Sequence, residues 1–146
     1  MAPHNRLLLI PSDLADSVEF IATADVADAE VPAWVEARLA LGAVRCENVG
    51  KSLVVWQGRE AAGAPNRRAF ALWYASIGQE TGQIGPIPPA FRGTVVFEAI
   101  NANLQTTRMD RFLNSTEARA FEFRGSHPSV EQFGALLRAW RATAPA

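Results

Sequence analysis

The chain has 146 residues, 49% of them apolar and 20% charged, with a net charge of −1. That length is one ordinary domain, large enough to bury a core without metals or disulfides, and the composition excludes a disordered chain. The near-neutral charge and a pI of about 6.1 argue against a general nucleic-acid binder, which shows a basic excess.

Leu7–Ile10 reads as a short strand ended by Pro11. Ser12, Asp13 and Asp16 then offer a helix start, with Leu14, Val18 and Ile21 at helical spacing, so a helix is expected over 13–24. Partial alternation from Val18 to Val26 is the rival signal, and it favours a strand. The next helix is clearer. Asp28 is placed to cap it, Pro32 suits its first turn, Val31, Trp34, Val35 and Leu39 make one stripe, and Gly42 is a natural stop.

Strands are expected to dominate afterwards. Ser52–Gln57 is short, apolar and β-branched, and 58–67 is a turn-rich connection. Arg68–Ile77 carries Phe70, Leu72 and Tyr74 at one parity and Trp73 and Ile77 at the other, which reads as a strand covered on both faces and paired with Ser52–Gln57 in a hairpin. Gly78–Gly93 is the longest irregular stretch, and Ile84, Ile87 and Phe91 predict that it packs back on the body. Thr94–Asn103 is a third strand. A short helix capped by Thr107 follows, with Met109, Phe112 and Leu113 on one side, and Ala118–Arg124 is a fourth strand. Ser129 and Gln132 form a capping box that opens a closing helix, with Val130, Phe133, Leu137 and Trp140 at helical spacing. The whole is an α+β domain spanning 1–146: an antiparallel sheet of four to six strands, with N-terminal helices and a C-terminal amphipathic helix packed on one face.

Charge divides along the chain. Residues 1–50 carry eight acids and three bases, a net −5, whereas 51–146 carry eleven bases and seven acids, a net +4. This polarity is the feature with most functional reach, because opposed patches attract opposed partners. Thirteen of the fourteen bases are arginine, whose forked guanidinium binds carboxylates in pairs of hydrogen bonds.

No motif points to catalysis. Gly50-Lys51-Ser52 lacks the upstream glycine and following helix of a phosphate loop. Cys46 has no histidine placed beside it by sequence, since His4 and His127 are distant, and His127-Pro128 reads as a helix entry. Asp25, Asp28 and Glu30 suit a helix start better than a metal, and Glu98 and Glu122 suit a solvated sheet face better than an acid–base pair. No metal, cofactor or catalytic residue is expected. Leu7–Ile10 is too short for a signal-peptide core, no run reaches the roughly 20 apolar residues of a membrane helix, and a lone thiol suits a reducing compartment. A cytoplasmic protein without membrane contact is therefore expected.

The functional expectation is a non-enzymatic protein–protein interaction or assembly module with an arginine-bearing contact face, binding a protein partner or forming a homo-oligomer. Arg67, Arg68, Arg92, Arg108 and Arg111, with Trp73 and Tyr74, are its candidate binding residues; Arg119 and Arg124 flank the fourth strand. The bland account of these arginines is a solvated surface with local pairs to acids such as Glu122. The alternative function is a small-molecule binding protein or enzyme. Its pocket would lie between a curved sheet and the C-terminal helix, lined by Trp56, Trp73, Tyr74 and Phe97. Nucleic acid is disfavoured.

Overall fold

The computed structural model describes residues 5–22, 25–39, 43–49, 53–58, 63–100 and 104–144. The elements in chain order are β1 (Asn5–Ile10), β2 (Glu19–Ala22), α1 (Val31–Leu39), β3 (Ala43–Val49), β4 (Leu53–Gly58), α2 (Arg67–Thr81), β5 (Val95–Ala99), α3 (Thr106–Leu113), α4 (Thr116–Arg119) and α5 (Val130–Ala142). The five strands form one sheet in the order β2-β1-β5-β4-β3, antiparallel throughout. The class is α+β, with an antiparallel sheet.

Side-chain parity explains the layering. Successive residues of a strand point to opposite faces. Leu8 and Ile10 of β1, Leu53 and Val55 of β4, and Val95 and Phe97 of β5 share one core with α2, α3, α4 and α5. Their neighbours Leu7, Val54, Trp56 and Val96 share a second core with Val31, Val35 and Leu39 of α1. The sheet is therefore covered on both faces rather than one, and all five residues of β5 are buried. Glu98 sits on the α1 face, where Arg6 donates to its Oε2 at 2.9 Å and Trp56 Nε1 to its Oε1 at 3.0 Å, tying β1, β5 and β4 together. Arg6 also pairs with Asp28.

Several local expectations are corrected. The helix expected over 13–24 is a turn followed by β2. Asp13 Oδ1 accepts from Ala15 N at 2.9 Å and Asp13 O from Asp16 N at 3.1 Å. That side chain closes the turn instead of capping a helix, and the alternating signal wins. Asp28 does not cap α1 either; a single 3-10 turn, Asp28–Glu30, leads into it.

The strand expected over Arg68–Ile77 is the middle of α2. A helix enclosed on most sides also carries large apolar residues at every parity. Nine residues of α2 are buried. Asn66 caps its start, and Gly82 ends it at φ +73°, a left-handed conformation that suits glycine. The expected hairpin is accordingly absent, since β4 pairs with β3 and β5. β3 itself was not foreseen.

The strand expected over Ala118–Arg124 divides. Ser115 caps the four-residue α4, its Oγ accepting from Ala118 N at 3.2 Å. The stretch 121–124 then runs outside the sheet. The cap expected at Thr107 lies at Gln105. The closing helix keeps its capping box, but Val130 is 79% exposed instead of joining the buried stripe. α5 packs on α2 closely enough that a Cβ on Gly78 would lie 2.5 Å from Phe133 Cζ. Gly42, Gly50, Lys51 and Ser52 lie outside the described residues.

The basic character belongs to the helical layer and not to the sheet. Among the described residues outside the sheet, 25–39 carries Asp25, Asp28, Glu30 and Glu36 against Arg38. The opposite layer, 63–92 with 104–144, carries nine arginines against five acids.

Candidate functional site

The principal cavity is a partly open groove of about 760 Å³. Three stretches build it. The first turn of α2 supplies Arg67 and Phe70; residues 87–92 form one wall, and residues 121–126 form the other, with Gln132 of α5 at its edge.

The floor is aromatic. Phe70 lies 5.0 Å from Phe91 and 5.6 Å from Phe123, ring centre to ring centre, and Phe121 lies 5.5 Å from Phe123. The Phe70–Phe123 pair is edge-to-face, an arrangement that contributes about 0.5–1.5 kcal/mol beyond area burial, and the other two are tilted. Beneath the floor Tyr74 packs on Phe121 and Phe123, and Trp73 packs on Phe91. Tyr74 Oη lies 3.3 Å from His127 Nδ1 and 3.4 Å from Ser126 O. Burial pushes its phenol up to about 12.

The rim is charged. Arg67 pairs with Glu122. Arg92 is exposed and donates to Gly63 O at 3.1 Å, and Arg124 is exposed. Three arginines against one acid leave the rim positive. Among the described residues two large apolar side chains stand exposed, Ile87 at 62% and Val130 at 79%, and Ile87 lines the groove.

The walls differ in kind. One contains Pro88 and Pro89 after Pro86, so it has no N–H at those positions. Pro86 O accepts from Trp73 Nε1 at 3.3 Å. The other alternates: Phe121 buried, Glu122 exposed, Phe123 half-buried, Arg124 exposed. The Phe121 and Phe123 rings, two residues apart, lie side by side, and the stretch bends at Arg124. Phe121 N donates to Ala118 O at 3.4 Å, and Glu122 O accepts from Gln132 Nε2. Among the described residues, the backbone groups of Phe123 have no hydrogen-bond partner.

The candidate residues therefore separate. Arg67 and Arg92 meet at the groove, joined by Arg124. Arg68 does not join them. It is 1% exposed, and its Nη2 donates to the carbonyls of Pro11, Asp13 and Asp16 at 2.9–3.1 Å, tying the β1–β2 turn to α2. Burial first, then the neighbouring Arg119, lowers its affinity for the proton. Arg108 lies against the end of α5, donating to Trp140 O and Thr143 Oγ1 at 3.2 Å, its guanidinium 4.3 Å from the Trp140 ring. Arg111 is exposed on α3, away from the groove. Trp56, Trp73, Tyr74 and Phe97 are buried in the two cores, and the cavity of about 200 Å³ between the sheet and α5 is lined by Val49, Leu53, Ala99, Met109 and Trp140 instead of by them. Glu98 and Glu122 lie on opposite sides of the sheet and form no pair.

Cys46 lies in β3, and His4 lies outside the described residues. Among the described residues no group of three metal-ligating side chains occurs, and no helix is long and apolar enough to cross a membrane. The phenylalanines of the floor were missed by the sequence reading. Their signal was the pair Phe121 and Phe123 in a strand-like stretch and Phe91 after a proline run. No protein-family model, curated protein or solved structure matches this chain.

Proposed function

We propose that this protein is a non-enzymatic binding module that takes a segment of a partner protein into the groove between residues 87–92 and 121–126. The partner segment is acidic and apolar: apolar side chains rest on the half-buried Phe70 and Phe123 and on exposed Ile87, with Phe91 and Phe121 buried beneath, and carboxylates meet Arg67, Arg92 and Arg124. The observation that carries this reading is the pairing of half-buried Phe70 and Phe123 and exposed Ile87 with a positive rim in an open groove. Exposed apolar area rimmed by charge is the usual mark of an interaction site. Guanidinium groups supply the direction, because they bind carboxylates in fixed geometry.

Display selection with a library of nine-residue peptides tests it. The wild-type chain enriches sequences that combine acids with apolar residues. The Arg92→Glu/Arg124→Glu variant, with its fold verified by circular dichroism, loses that enrichment, and 500 mM salt weakens it. Equal enrichment by both chains, or none by the wild type, overturns the reading.

A further inference from the structure

We infer that the groove takes its partner by strand addition: the acidic segment pairs its backbone with the strand-like residues 121–123. This rests on the binding reading above and adds the mode of recognition.

Residues 121–123 carry a strand-like alternation outside the sheet, just before a bend at Arg124. In an extended strand consecutive residues direct their backbone groups to opposite edges. Gln132 Nε2 occupies Glu122 O on one edge. The N–H and C=O of Phe123 point to the other, where no described residue meets them.

The facing wall explains why the protein does not satisfy this edge itself. Proline has no N–H to donate. Pro88 and Pro89, which line the same groove, remove two of the four donors that residues 87–90 could offer a ladder with 121–123. An incoming chain supplies the missing donors and acceptors. Its alternate side chains reach the phenylalanine floor, and the intervening ones reach the arginine rim. The period of the ligand is therefore two, acid and apolar in turn, as in other strand-addition complexes.

The test uses the most enriched nonapeptide from the display selection, resynthesised with single N-methyl groups at successive positions. Methylation at alternate positions weakens binding at least tenfold, and methylation between them changes it less than threefold. In the complex, amide exchange at Phe123 slows at least tenfold. Binding that depends on Arg92 and Arg124 but tolerates every N-methyl group, with Phe123 exchange unchanged, overturns strand addition and leaves the groove reading standing. The absence of any peptide whose binding depends on the arginines overturns both.

Discussion

Asn66 is wholly buried, and both polar atoms of its amide are engaged. Its Oδ1 accepts from Ala69 N at 3.1 Å and caps α2. Its Nδ2 donates to Ile10 O at 2.8 Å and to Gly93 O at 2.9 Å, locking the end of β1 to the approach to β5. Asn66→Asp separates the two duties. The introduced carboxylate keeps the cap, and at a helix N-terminus its charge is favoured by about 0.3–1 kcal/mol. A residue that only capped would therefore tolerate it. The substitution also puts a negative oxygen against two carbonyls in place of a donor. Two buried bonds are lost at about 1 kcal/mol each, and a charge is held away from water. That raises the introduced carboxyl above the roughly 3.9 of unfolded aspartic acid. The sign follows: stability relative to the native chain is highest below about pH 4 and falls by about 1.4 kcal/mol per pH unit up to the raised value. At pH 7 the deficit is expected to be at least about 3 kcal/mol. For a domain of this size that is roughly 6–12 °C in Tm. Asn66→Ala removes both duties without a charge and costs about 3 kcal/mol at every pH. Urea denaturation followed by tryptophan fluorescence at pH 4 and pH 7 measures both variants. An Asn66→Asp protein as stable as the native one at pH 7, or a deficit that does not shrink on acidification, refutes the argument.

Gly78→Ala is expected to destabilise by about 1–2 kcal/mol, although alanine is the better helix former by about 1 kcal/mol, because the new methyl overlaps Phe133. Phe133→Leu in the same chain recovers part of that loss in thermal melts; strict additivity would contradict the close approach. Tyr74 is the chain's only tyrosine, so tyrosinate absorbance reports it alone. Its midpoint should lie near 12 in the native protein and near 10 in denaturant. Since the folded value is the raised one, stability falls as the pH climbs from about 10 to 12. Native and denatured midpoints that coincide would exclude a buried phenol.

The sequence was most readable where local chemistry and tertiary packing agree. β1, α1 and α5 were legible because the Leu7–Ile10 run, the Val31, Val35 and Leu39 stripe and the Ser129–Gln132 box each specify one element in isolation. α2 was not legible, because burial on nearly every side erases the 3.6-residue period that identifies a helix. Asn66 and Gly82 marked its ends, but neither outweighed Phe70, Leu72 and Tyr74 at alternate positions. Residues 121–124 misled in a more informative way. Their burial alternates like that of a strand, yet they pair with no strand of the sheet. As for the groove, Arg67 and Arg92 stood out as charges, whereas its phenylalanines looked like core. Arg68 shows the converse: an arginine conspicuous in sequence whose guanidinium is spent on three carbonyls.

The proline wall sets a limit on assembly. Naked strand edges invite one chain after another and so carry the hazard of fibrous growth. On the strand-addition reading, a chain entering beside Phe123 turns its own outer edge toward Pro88 and Pro89, which have no N–H to donate to it. Growth by a second strand is then disfavoured, and the expected stoichiometry is one.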